Sequence, residues 1–397
     1  MIYQLGVESI TRQQALLLKT QQHIASQKRI MTPSDDPIGA AQAVTVSQTM
    51  ARSSQYSANI VAAGDSLAHA ESLLGQVSDV IQAARSHAIA GGTAAMSNAD
   101  RRSLATDLRA QLSQMIGLAN AKDGDGAFLF AGFSTSTQPF ADSAAGVAYS
   151  GDSGQRALEV SPGRTLPTSV NGDRVFMRIP QGNGTFVAAA AAANTGSGVV
   201  TPGSVVNPAA VTGDSYRIEI NVAAGVTTYD VVNVTTAAVV STGNAYVDGG
   251  AVNVAGMQVT LGGDPANGDR FTLVPASSQS IFTTLSNLIA TLEAPVSTAT
   301  DRTALGNGLN RALADLDQGL EHMLTVRAEM GSSLRELDTL ASGNVSQQLL
   351  NEQTLSRLQD LDYNVALSDF ARQQLALEAA QKSFIQVTGL SLFDFLR

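Results

Sequence analysis

The sequence predicts a mainly α protein with an inserted β domain: an elongated rod of long coiled-coil helices from both chain ends, with a β-rich domain in the middle. Three observations lead there. Gly and Pro are sparse from residue 1 to about 130, where Gln, Ala, Ser and Leu dominate. From about 134 to 276 the chain turns to Gly, Val, Thr, Asn and Asp, in alternating apolar runs broken by turn signals. From about 279 the helical pattern returns, and strands enclosed by helices on both sides read as an insertion.

The first helix carries Tyr3, Ile10, Leu17, Ile24 and Met31 at seven-residue intervals. That period belongs to helices wound around one another. Polar Gln14, Gln21 and Lys28 flank the stripe. A stripe this narrow buries too little to hold a helix down alone, so it calls for partners from other subunits. The stretch KRIMTPSDDPIGAA, Lys28 to Ala41, then punctuates the chain. Lys28 and Arg29 are expected in the last turn, where cations complement the helix dipole. Pro33 forces Thr32 toward extended angles and is expected to end the helix. Asp36 suits an N-cap and Pro37 the first helical position, where a missing N–H costs little. The next helix is expected from Pro37 to about Ala90, stopped by Gly91-Gly92. At 1.5 Å per residue it measures roughly 80 Å. Ser97 with Asp100 is a capping signature for a third helix, ending at LANAKDGDG.

The second helix repeats the period with Ile60, Leu67, Leu74 and Ile81, followed three residues on by Ala63, Ala70, Val77 and Ala84. In the middle region, YRIEINVAAGVTTYDVVNV and GAVNVAGMQVTLGGDPANGDRFTLV alternate as strands do, with Asn171-Gly172 and Gly262-Gly263-Asp264 as turn signals. Beyond it, Leu309, Leu316, Met323, Met330 and Leu337 resume the sevens, with Leu313, Leu320 and Leu334 expected as the second seam at +4. The last segment has Tyr363, Phe370, Leu377 and Phe384, with Ala366, Ala380 and Val387 at +3. Any bundle gives some sevens, but four separate segments agree. The chain closes on an apolar cluster, Leu392, Phe393, Phe395 and Leu396, where a monomer usually frays and is polar. Apolar termini point to an assembly interface.

Composition narrows the function. The net charge is −10, and the only lysines are Lys19, Lys28, Lys122 and Lys382, which argues against nucleic acid or an anionic membrane as partner. There is no Cys, so no disulfide, thiolate metal site or catalytic Cys exists. The N-terminus lacks the basic and apolar regions of a cleavable signal peptide. His23, His69, His87 and His322 have no ligand spacing. The run Asp123 to Gly126 fails as a calcium loop, because an EF-hand frame puts Ala121 and Gly132 at the end-ligand positions. Asp35 and Asp36 read as caps more simply than as a catalytic pair. No catalytic or phosphate-binding motif occurs, so no enzyme activity, cofactor or metal is expected.

KRIMTPSDDPIGAAQA, Lys28 to Ala43, resembles the flagellin superfamily, in its hook-associated branch. Flagellins typically carry an S-G-x-R-I-N run and a D-D-A-A-G corner instead. LANAKDGDGAFLFAGF (Leu118 to Phe133), NGDRFTLVPASSQSIFTTLSNLI (Asn267 to Ile289) and LALEAAQKSFIQVTGLSLFDFL (Leu375 to Leu396) are similar to further segments of that branch. The opening MIYQLG departs from the usual Met-Arg-Ile-Ser-Thr. The resemblance covers both helical arms well and the β region loosely.

The resemblance implies three layers: an inner coiled coil of residues 1–36 with 355–397, a middle rod bundle of 37–133 with 277–354, and an outer β domain of 134–276. It implies an inner interface through Tyr3, Ile10, Leu17, Ile24, Tyr363, Phe370, Leu377 and Phe384. Pro33, Ser34, Asp35, Asp36 and Pro37 would form the corner between layers. The implied role is a structural adaptor between hook and filament, assembled as a ring of subunits with another hook-associated protein on one side and flagellin on the other. Export through the flagellar apparatus to an extracellular site is implied, with a chaperone at the C-terminal helix. The alternatives are a filament subunit and, from another class, a surface adhesin on a helical stalk.

Overall fold

The computed structural model describes residues 2–143 and 146–394, with side chains from 3 to 143 and 146 to 386. It forms two compact units. The first draws on the chain ends, to Ile60 and from Asp338, together with Val160–Pro162; the second holds Val61–Glu159 and Gly163–Leu337. Six helices are described: α1 (Ile2–Ser26), α2 (Pro37–Gly91), α3 (Asn98–Ala119), α4 (Ile281–Glu293), α5 (Ala299–Gln359) and α6 (Tyr363–Asp394). Among the described residues, fifteen strands lie between α3 and α4, so the α–β–α order is as expected.

In the first unit, α1 packs along α6. The part of α2 before Ile60 is tied to α5 by Asn344, which donates through Nδ2 to the Ser53 carbonyl at 2.8 Å and accepts from the Ser53 hydroxyl.

The corner after α1 differs in part from expectation. The helix stops at Ser26, because Gln27 takes a left-handed φ of 62°. Pro33 follows six residues later, inside a turn, and does not terminate the helix. Lys28 and Arg29 therefore lie outside the last turn. Met31 drops out of the stripe and is exposed, while its neighbour Ile30 is buried, facing Gly39. The entry to α2 is as the sequence predicts. Asp36 Oδ1 accepts the Gly39 N–H at 2.9 Å, its carbonyl accepts Ala40 N–H at 2.8 Å, and Pro37 is the first helical residue.

The second unit contains the strongest heptad seam. Leu67, Leu74, Ile81, Ala63, Ala70, Val77 and Ala84 on α2 are all buried, as are Leu309, Leu316, Met323, Met330 and Leu337 on α5. The second α5 seam corrects the expectation: Ala312, Gly319 and Val326, at +3, are buried, whereas Leu313, Leu320 and Leu334 are half-buried. Small residues at +3 let the axes approach; the Gly319 Cα faces Ile81 and Ile281. The ion pairs Arg327–Glu71 and Arg85–Asp317, both 2.7 Å, flank the seam. Helix α3 opens with the predicted capping box between Ser97 and Asp100 and pairs with α4.

The β region holds a five-stranded antiparallel sheet, in order Ala238–Ala245, Val226–Asn233, Tyr216–Ala223, Arg270–Pro275, Phe186–Ala190. A smaller sheet is built on Gly250–Val254 and Met257–Gly262. Period-two alternation is explicit: Tyr216, Ile218 and Ile220 face one core with Met257, Val259 and Leu261. Asn171-Gly172 does not make a hairpin; it opens a short π-helical turn, Asp173–Met177. That turn sets Phe176 against Phe130 and Phe282, with Phe140 alongside, ring centroids 5.2–5.8 Å apart. The aromatic exit of Leu118–Phe133 and the return Asn267–Ile289 thus meet on one cluster.

Candidate assembly interface

The candidate residues sit on α1, α6 and the corner, all within the first unit. Tyr3 and Phe384 are brought together, ring centroids 5.2 Å apart, and Gly6 leaves room for the Phe384 ring. Ile10, Leu17 and Ile24 on α1 and Phe370, Leu377 and Phe384 on α6 are half-buried. Tyr3 and Tyr363 are exposed, at 63% and 43%. A single α1/α6 pair therefore covers its seven-residue stripes only partly. Ala366 is buried at the start of α6 and Ala380 is half-buried; the side chain of Val387 and the terminal cluster Leu392, Phe393, Phe395 and Leu396 lie outside the described residues.

Outside the stripe, Leu5, Leu16 and Leu18 on α1 and Val365, Leu367, Leu375 and Ile385 on α6 are exposed. Period-seven reasoning missed them. The signal was present as apolar residues between the stripe positions, such as the Leu16-Leu17-Leu18 run. The helices are apolar on more faces than one partner occupies.

The corner is held by two carboxylates. Asp35 Oδ2 accepts the N–H groups of Met31 and Thr32 at 3.1 and 2.9 Å, and Oδ1 pairs with Lys19 of α1 at 2.7 Å. The Lys19 ammonium, then the backbone donors, hold the Asp35 carboxyl far below the usual carboxylate range. The Gly39 N–H, aided by Arg29, lowers Asp36. Pro33 and Ser34 are exposed, and Ser34 Oγ bonds Thr32 Oγ1 at 2.7 Å. Asp362, which sequence reasoning passed over, does for α6 what Asp36 does for α2: its Oδ1 accepts from Asn364 and Val365 N–H.

Three of the four histidines have structural partners. His23, His69 and His322 each meet a backbone carbonyl, of Lys28, Lys122 and Arg174. Asp123 turns its own loop by accepting from Asp125 and Ala127 N–H. Among the described residues, no three His, Cys, Asp or Glu side chains converge as a metal site, and no helix is long and apolar enough to cross a membrane.

A family profile described as the bacterial flagellin N-terminal helical region matches residues 1–135. Flagellar hook-associated protein 3 of Escherichia coli (strain K12) is 29% identical over 395 residues, 99% of this chain and 97% of that protein. The crystal structure of flagellar hook-associated protein 3 from Legionella pneumophila matches with a TM-score of 0.76 at 31% identity, covering 79% of this chain and 98% of that one. The chain belongs to the flagellar hook-associated protein 3 family. Xanthomonas campestris FlgL is a further relative, 32% identical with a TM-score of 0.73, covering 78% of this chain and 99% of that one. The half-buried α1/α6 stripes and the aspartate-held corner are thus features of a hook-associated protein 3 chain.

Proposed function

We propose that this chain is a structural adaptor of the bacterial flagellum, joining another hook-associated protein at the hook end to the flagellin filament. Its mechanism is templated self-assembly: apolar helix faces gain burial only when neighbouring copies arrive. The observation that carries this reading is the partial burial of Ile10, Leu17, Ile24, Phe370, Leu377 and Phe384 within one chain, in a family whose Legionella pneumophila member is called a flagellar junction protein. In the assembled ring, residues 1–36 and 355–397 form the inner layer, 37–133 with 277–354 the middle rod, and 134–276 the outer surface. Pro33 to Pro37 is the corner between the first two. No catalytic role is assigned. Export runs through the flagellar secretion apparatus without a cleavable signal, with α6 as the docking segment for an export chaperone.

The match of residues 1–135 to the flagellin N-terminal region keeps a filament-subunit reading in view. Deleting the gene separates the two. Bare hooks with flagellin free in the medium are expected for a junction piece. Bare hooks without external flagellin would indicate the filament subunit, and normal filaments would refute both.

A further inference from the structure

The two helix breaks of the first unit, between α1 and α2 and between α5 and α6, lie against each other. Residues 27–29 and 359–361 form an antiparallel bridge in which Arg29 N–H donates to Gln359 O at 2.7 Å and Leu361 N–H donates to Gln27 O at 3.1 Å. Lys28 and Asp360 are the facing pair. The Arg29 guanidinium spans the joint. Its Nη2 donates to Leu358 O, in the last turn of α5, at 2.8 Å; its Nη1 reaches Asp36 Oδ2, on the N-cap of α2, at 3.3 Å. One forked side chain therefore holds the end of one long helix and the start of another, which an ammonium point charge cannot reproduce. Gln27 is kept left-handed although it is not glycine, and its carbonyl is the group Leu361 engages. Strain of that kind persists where surrounding bonds over-determine it. From the α1 side, Lys19 reaches Asp35, which bears the adjoining turn.

We propose that this bridge, latched by Arg29, is a clamp fixing the α1/α6 pair to the adjoining ends of α2 and α5 as one preset body, and that Arg29 is a positioning residue for docking that pair into a ring of copies. Without the clamp, each break is a short linker and the pair swivels. The freedom would then be lost on assembly, at a cost to affinity. The ring itself rests on the function proposed above; the clamp does not.

The absence of Cys from the chain permits a direct test. Spin labels on Gln14→Cys in α1 and Gln48→Cys in α2, both exposed, report the distance between the two helices. A narrow distribution is expected in the parent. Arg29→Gln and Arg29→Lys should both broaden it, with far-UV circular dichroism unchanged. An equally narrow distribution in both would overturn the clamp. In cells, Arg29→Gln should lower the number of filament-bearing hooks several-fold. The pair Lys28→Cys/Asp360→Cys, at a facing position without mutual hydrogen bonds where Cα atoms lie about 4.5 Å apart, should form a disulfide and restore it. Broadening with full filament numbers would overturn the positioning role. The deletion phenotype tests the junction reading separately, so the two fail independently.

Discussion

Asp35 and Asp36 give the corner a pH dependence with a definite sign. Both carboxyls titrate below their unfolded value of about 4. Their stabilisation is therefore fully present above that value and is lost as pH falls through the lower folded values. Hydrogen exchange of the segment 29–40, corrected for intrinsic rates, should show constant protection from pH 7 to 5 and decline only in stronger acid. Asp35→Asn should reduce protection at pH 7 and flatten the acid limb. Asp315 runs the other way. It is buried on α5, accepts Gly182 N–H at 2.7 Å and Gln279 Nε2–H at 3.0 Å, and burial raises its pKa. The penalty of its charge is fully present above that raised value and fades as pH falls through it. Asp315→Ala leaves the buried Gly182 N–H without its acceptor. A loss of about 1–3 kcal/mol is expected, read from denaturant unfolding.

The α2 and α5 seams make a graded prediction. Leu74→Ala, in a fully buried site, should cost about 2–5 kcal/mol, whereas Leu313→Ala, on the half-buried flank, should cost less than half as much. Equal costs would mean that +4 is the second seam after all. This contrast marks where sequence reading stops. Large apolar residues at seven-residue spacing were legible because bulk and period coincide. Ala312 and Gly319 were not, because the larger Leu313 and Leu320 stand beside them at +4 and carry the stronger hydropathy signal. The caps at Asp36 and Ser97 were legible because their partners are three residues away. The stop at Gln27 was not, because the groups that engage this segment, Leu361 N–H on Gln27 O and Gln359 O on Arg29 N–H, arrive from the far end of the chain. The stripe residues Ile10, Leu17, Ile24, Phe370, Leu377 and Phe384 are half-buried, but the exposed flank of Leu5, Leu18, Leu375 and Ile385 falls off the period and needed the packing of α1 on α6 to be seen.

If neighbouring copies complete this fold, as proposed above, the chain should tolerate some changes alone that it cannot tolerate on assembly. Phe384 and Leu375 separate the two requirements. Phe384 touches Tyr3 and fills the space above Gly6, so Phe384→Asp buries a charge against α1 within one chain. It should unpair α1 from α6 and abolish incorporation at the hook, while the β region keeps its far-UV strand signature. Leu375 is 67% exposed, so Leu375→Asp should leave the isolated chain within about 0.5 kcal/mol of the parent. If neighbouring copies cover that face, the same change should still cut incorporation, scored as subunit retained on purified hook–basal bodies against subunit shed to the medium. Full incorporation of Phe384→Asp would refute the α1/α6 pair as the docking element. Full incorporation of Leu375→Asp would confine the interface to the seven-residue stripe and leave the exposed flank facing water.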